Sequence, residues 1–199
     1  MKTLYIQAKN EKDILPFIKK INLKGKIGLV STIQYLNQIQ KIKLKNFIIA
    51  GQVTGCNISK PKKIENKVDF FLFVGSEQFQ PIYLAINTKK PVYILNPTTE
   101  KFSKITQEQI TTYKNKIRGK QLKFLNANKI GILISNKPGQ YKLKRALQLK
   151  NKYKNSFLFL TNNINQQEFE NFSDIDIFIN TACPRLEYKK VINYLDIPS

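Results

Sequence analysis

Val68-Asp69-Phe70-Phe71-Leu72-Phe73-Val74-Gly75-Ser76 is the stretch that decides the fold. An apolar run of this length, interrupted only by Asp69 near its start, reads as a strand covered on both faces, as the strands of a parallel sheet are. Gly75 and Ser76 end it in a turn. A shorter counterpart, Ile175-Asp176-Ile177-Phe178-Ile179, stands in the second half of the chain. A second pair of runs precedes these two: Lys26-Ile27-Gly28-Leu29-Val30-Ser31 and Lys129-Ile130-Gly131-Ile132-Leu133-Ile134-Ser135. The two halves therefore read as degenerate repeats of one strand-and-helix unit.

Further strands are expected at residues 4–7, 46–50, 91–95 and 156–160. Helical periodicity covers 13–21, 32–42, 80–87, 106–126, 141–154 and 166–172. Short strands joined by helices imply parallel pairing with right-handed crossovers. The fold class that follows is α/β, with two similar domains, each a small parallel sheet flanked by helices. The expected boundaries are 1–104 and 105–199, with the helix at 106–126 linking the halves. One larger doubly wound sheet is the competing architecture, and periodicity does not separate the two.

Composition bounds the function. A chain of 199 residues, 42% of them apolar, has enough material for one large core or two small ones. It contains no apolar run long enough to cross a bilayer, and Met1-Lys2-Thr3-Leu4-Tyr5-Ile6 lacks the apolar region of a signal peptide. A cytoplasmic protein without a membrane partner is expected. The formal charge of +21 arises from 34 basic and 13 acidic residues, which raises the question of a nucleic-acid partner. Only Arg118, Arg145 and Arg185 are arginines, and the lysines are spread along the chain amid many Asn and Ile. That is the pattern of a general coding bias. A specific nucleic-acid site shows clustered arginines and exposed aromatics, and none is expected. The charge still favours encounters with acidic partners. Histidine is absent, which excludes His triads, His bases and His metal ligands. Two cysteines rule out a self-contained four-cysteine zinc site.

Parallel α/β sheets bind ligands at the carboxyl ends of their strands, and both cysteines lie just past such ends. Cys56 follows a strand through Gly51-Gln52-Val53-Thr54-Gly55, and Cys183 follows Asn180-Thr181-Ala182 and precedes Pro184. Two readings stand side by side: small buried hydrophobes, or thiolate ligands of an iron–sulfur cluster. Placement in loops, outside apolar runs, favours the second. Three more groups fall on the same rim. Ser76, in Gly75-Ser76-Glu77-Gln78-Phe79, is either a plain helix cap or part of an anion-holding turn. Lys137, in Lys137-Pro138-Gly139-Gln140, is either solvated or aimed at a ligand. Arg185 either forms a surface ion pair or clamps a carboxylate bidentately.

At these segments the sequence resembles the diphthamide-synthase family, the 2-(3-amino-3-carboxypropyl)histidine synthases. The matching stretches are Gly51 to Asn57, Phe73-Val74-Gly75-Ser76 with Lys90-Pro91-Val92-Tyr93, Ser135 to Gln140, and Asn180-Thr181-Ala182-Cys183-Pro184-Arg185. Each is weak alone, and their shared order and spacing make the set specific. The resemblance implies three similar α/β domains around one 4Fe–4S cluster, each giving one cysteine. S-adenosylmethionine binds the remaining iron as co-substrate, and its 3-amino-3-carboxypropyl group passes as a radical to a histidine of translation elongation factor 2. By this resemblance residues 1–104 are the second-type domain carrying Cys56 and residues 105–199 the third-type domain carrying Cys183, two of the family's three repeats. Lys137, Gly139, Gln140 and Arg185 then hold or shape the S-adenosylmethionine site, with Ser76 a lesser member. The first domain and its cysteine are absent, so a split enzyme is expected, completed by a separate first-domain polypeptide or second subunit and served by an electron donor. Two alternatives remain: a non-catalytic support subunit of that enzyme, and an unrelated α/β nucleotide- or RNA-binding module.

Overall fold

The structure, a computed structural model, describes residues 4, 6–55 and 57–198. The chain forms two compact units, Met1–Thr111 and Thr112–Ser199, and the division falls inside the long helix α5, Gln107–Leu125. Each unit has its own sheet, which removes the alternative of one continuous doubly wound sheet.

The first sheet has the order β2-β1-β3-β4-β5. Its strands are β1 Ile27–Ser31, β2 Phe47–Gln52, β3 Phe70–Val74, β4 Val92–Asn96 and β5 Lys101–Lys104. The central strands β1 and β3 are buried at every position, as their unbroken apolar sequences require. Helices cover both faces. Ile14, Ile18 and Ile39 come from α1 (Leu15–Lys19), the residue before it and α2 (Leu36–Gln40), and pack with Ile27, Leu29 and Leu72. On the other face, Leu84 and Ala85 of α4 (Phe79–Thr88) pack with Val30, Phe71 and Phe73, joined by Ile64 from α3 (Ser59–Ile64).

Three local expectations are corrected. β5 pairs antiparallel with β4; a hairpin turn at residues 97–100 brings the chain straight back, so no crossover helix is needed. The helix expected at 32–42 is a 3₁₀ turn at Ile33–Tyr35 followed by the short α2. The strand expected at 4–7 does not form at Leu4, Ile6 or Gln7, where no neighbouring strand offers a ladder; Tyr5 lies outside the described residues.

The second sheet has the order β7-β6-β8-β9 and is parallel throughout. Its strands are β6 Ile130–Ser135, β7 Ser156–Thr161, β8 Ile177–Asn180 and β9 Val191–Asn193. One face packs on Phe124 of α5 and Ala146 of α6, Leu143–Lys152. The other packs on Phe169, from a 3₁₀ segment at Gln166–Phe172.

Two contacts set the register of the central strands, and both units use them. Gly28 pairs with Phe71 and Gly131 with Phe178 across adjacent parallel strands. A Cβ on Gly28 would come within 2.5 Å of the Phe71 ring, and one on Gly131 within 2.2 Å of the Phe178 ring. Only glycine leaves room for those rings to lie across the strand. Just before these pairs, at the same amino-terminal end, Asp69 accepts a hydrogen bond from the Lys26 N–H at 2.7 Å, and Asp176 accepts from the N–H groups of Lys129 and Asn128, each at 2.8 Å. The aspartate that interrupts each apolar run thus tethers the start of the neighbouring strand. The two backbone donors, Lys129 first and then Asn128, hold the Asp176 carboxyl below its usual value. A group depressed in the folded state stabilises the protein above its unfolded value, about 3.9 for Asp, and loses that contribution as pH falls through the folded value. Asp176→Asn should therefore be less stable than wild type at neutral pH, with the gap closing as pH falls from neutral to below the unfolded value of about 3.9. Urea denaturation across that range measures it.

Candidate functional site

In the second unit the loops after β6 and β8 meet at the carboxyl rim of the sheet. β6 ends at Ser135, which is 2% exposed, and its Oγ accepts the N–H of Lys137 at 3.2 Å. The chain then turns through Lys137-Pro138-Gly139-Gln140, with the Gln140 N–H donating to the Lys137 carbonyl at 3.0 Å. Gly139 has φ +79°. Proline at the second position and a left-handed glycine at the third are the requirements of a type II turn, so Gly139 acts through its backbone by keeping Lys137 and Gln140 on one side of the loop.

β8 ends at Asn180, which is 1% exposed. Its side chain makes three bonds: Nδ2 donates to the Cys183 carbonyl at 2.7 Å and to Asn193 Oδ1 at 2.8 Å, and Oδ1 accepts the Ala182 N–H at 2.9 Å. Thr181 donates its hydroxyl to the Leu133 carbonyl at 2.8 Å. The Leu186 N–H donates back to the Cys183 carbonyl at 3.2 Å. A buried amide spends its capacity fixing the tight loop that carries the cysteine.

The product is a cavity of about 370 Å³ lined by Cys183, Lys137, Gln140, Arg185, Ser135 and Asn163, with Ile164 and Leu186 as its apolar wall. Cys183 is half-buried there. Four residues singled out by sequence, Lys137, Gln140, Cys183 and Arg185, are therefore together, with Gly139 in the turn that joins two of them. The lining holds a thiol, two cations, two amides and a hydroxyl, and no carboxylate. Such a set suits an anionic group, above all a carboxylate received by guanidinium and ammonium donors. Ser135, Asn163 and the positioning residue Asn180 were not singled out as site residues. The signal for Asn180 was available, in an amide ending an otherwise apolar strand.

In the first unit, Gly51 takes φ +85°, and the Val53 N–H donates to the Ser31 carbonyl at 3.0 Å. The backbones of Thr54 and Asn57 pair reciprocally at 3.3 Å. A Cβ on Gly55 would stand 2.1 Å from the Phe79 ring. Cys56 lies outside the described residues. Asn57, one residue before the cap position of α3, accepts at its Oδ1 from the Ser59 N–H at 3.0 Å and hydroxyl at 2.8 Å. Ser76 is exposed in the bend after β3. It does not cap α4, whose cap position is Gln78, without a side-chain bond.

Among the described residues no three His, Cys, Asp or Glu side chains come together. Cys183 is the described thiol, and the chain has two cysteines and no histidine. The donor chemistry of the Cys183 cavity fits one corner of a thiolate-held cluster. It does not fit a complete cluster site. No helix among the described residues is long and apolar enough to cross a membrane.

A family model described as "Putative diphthamide synthesis protein" matches residues 1–196. The 2-(3-amino-3-carboxypropyl)histidine synthase of Pyrococcus horikoshii is 31% identical over 188 residues, covering 85% of this chain and 52% of the relative. That of Methanocaldococcus jannaschii is 32% identical over 212 residues, covering 98% and 58%. The crystal structure of Dph2 from Pyrococcus horikoshii with a 4Fe–4S cluster superposes with a TM-score of 0.74 at 28% identity, covering 92% of this chain and 58% of that one. The chain thus spans a little over half the length of these relatives.

Replacing Asn180 with Ala removes three bonds from a buried loop, and leaving buried partners unpaired costs about 1–3 kcal/mol. Asn180→Ala should lower the melting temperature. It should also speed alkylation of Cys183, followed peptide by peptide in mass spectrometry; an unchanged rate would show that the amide does not hold the thiol.

Proposed function

The chain belongs to the diphthamide synthesis protein family, and on that premise we propose that it forms part of a 4Fe–4S enzyme of diphthamide biosynthesis. The reaction transfers the 3-amino-3-carboxypropyl group of S-adenosylmethionine to a histidine of translation elongation factor 2. Residues 1–104 act as the second-type domain and 105–199 as the third-type domain of a three-domain site. The shared tethers at Asp69 and Asp176 and the shared glycine–phenylalanine pairs support their descent from one repeat.

The observation that carries this proposal is the cavity joining Cys183 to Lys137, Gln140 and Arg185. Cys183 is one thiolate donor, and Cys56 is a second from the first unit. When bound, the cluster supplies the electron that opens the carbon–sulfur bond of the sulfonium. The chain's own residues bind and orient. Arg185 and Lys137 receive the carboxylate of S-adenosylmethionine through charge-assisted hydrogen bonds, while the Gln140 amide oxygen accepts from its ammonium group. The Gly139 turn holds the two loop residues at their spacing. Ser76 contributes a hydroxyl at the end of β3.

Two thiolates leave a three-cysteine site incomplete. A first-type domain supplies the third, and an electron donor completes the assembly. Anaerobic iron–sulfur reconstitution tests this with the chain alone and mixed with a candidate first-domain polypeptide. Cluster absorbance and iron content should rise well above the sum of the parts in the mixture; equal values would refute completion by a partner.

The ligand assignment has its own check. In the cluster-loaded assembly, Arg185→Ala should weaken S-adenosylmethionine binding about tenfold or more in calorimetry, the scale of one charged hydrogen-bonding partner, with iron content unchanged. Undiminished affinity would remove Arg185 from the site.

A further inference from the structure

The second unit holds another cavity, of about 610 Å³, whose lining includes Tyr141, Lys142, Lys144, Arg145, Gln148 and Tyr194. It brings together three cations, two phenol rings and an amide, with no carboxylate in its lining. One of the chain's three arginines is here, and its guanidinium lies over the Tyr194 ring, 5.5 Å from the centroid. Tyr141 is half exposed. Spacings of three and four residues bring Arg145 and Lys144 to the side of α6 that carries Gln148.

The dispersed lysines elsewhere do not build such a site. A cavity of the first unit, about 840 Å³, is lined by Lys9, Lys19, Lys41 and Lys43, but Glu11 and Asp13 stand among them and no aromatic residue does. That is a solvated surface of mixed charge, four lysines against two carboxylates. The α6 cavity differs in kind: its cations are unopposed within the lining and are interleaved with rings and an amide.

We propose that the α6 cavity binds single-stranded RNA. Lys142 and Lys144 take backbone phosphates. One base stacks against Tyr141 or on the paired Tyr194 and Arg145, and Gln148 bonds to a base edge. Rings and an amide beside cations are the set that single strands use, because their bases are free to stack. An inorganic phosphate would leave most of the volume and both rings unused. A duplex keeps its bases inside, and an acidic peptide needs the cations but has no use for the rings. The site is independent of the cluster function proposed above.

Fluorescence anisotropy with a labelled twelve-nucleotide uridine oligomer tests the proposal. Arg145→Ala/Tyr194→Leu should weaken binding about tenfold or more, the scale of losing one stacked base, whereas Tyr194→Phe keeps the ring and should bind normally. Because Tyr194 also packs on the core, Lys142→Ala/Lys144→Ala serves as a second variant on exposed positions. It should weaken binding and flatten the slope of log affinity against log salt by about 1.4, for two phosphate contacts. Thermal melts confirm that each variant is folded. Lys41→Ala/Lys43→Ala, in the mixed-charge cavity of the first unit, should change affinity less than about threefold, and polyglutamate should displace the RNA poorly. Equal losses for both lysine pairs would reduce the attraction to net charge and overturn the site. Displacement by polyglutamate as readily as by unlabelled RNA, with Tyr194→Leu alone at wild-type affinity, would reassign the cavity to an acidic protein.

Discussion

The register between the first and third strands of each sheet is the constraint on which the rest depends. In parallel sheets the strand ends stand level only if pairing is fixed, and a slip of one residue moves a strand end by about 3.3 Å and turns its side chains to the other face. Here register is held by two contacts at the start of the strands. An aspartate carboxylate tethers the amino-terminal end, Asp69 to Lys26 and Asp176 to Lys129. A glycine beneath a phenylalanine ring fixes the next step, Gly28 with Phe71 and Gly131 with Phe178. With those pairs in place, Ser135 and Asn180 finish their strands at one rim of the second sheet, and the loops that follow enclose a single cavity.

The central strands were legible because they are buried on both faces, so burial writes itself as a continuous apolar run. The elements that escaped notice lack that signature. β9 is three residues long, Val191–Asn193, too short for periodicity. β5 is Lys-Phe-Ser-Lys with every residue exposed, an edge strand held by backbone pairing and by the Phe102 ring stacked on Tyr93. α3 carries Pro61 and several lysines; its proline sits in the first turn, where no intrahelical N–H is needed. The converse failure is at residues 4–7, where an alternating apolar sequence forms no strand at its described positions. A strand exists only where a partner offers hydrogen bonds.

The site was legible to a similar degree and for a different reason. Cysteine, a Lys-Pro-Gly-Gln turn and a scarce arginine are chemically conspicuous in a lysine- and asparagine-rich chain, and Lys137, Gln140, Cys183 and Arg185 share one cavity. Asn180 was hidden among many asparagines because its importance lies in burial and in three simultaneous bonds, which composition does not express. Sequence also set specific RNA binding aside for want of clustered arginine. Folding supplies a different arrangement, one arginine over a tyrosine beside two lysines, reached from the same loop that carries Lys137 and Gln140.

The proposed cluster site requires two sulfur atoms far apart in sequence to meet. Cysteines that hold one cubane bring their sulfurs within roughly 6–7 Å. The chain has Cys56 and Cys183 and no other cysteine, so a short thiol-to-thiol crosslinker spanning about 6 Å reports on this pair alone within one molecule. Applied to the dilute, reduced, metal-free protein, it should give an intramolecular Cys56–Cys183 bridge in high yield, identified by peptide mapping. Two singly modified cysteines with no bridge, in protein shown to be folded, would contradict the account.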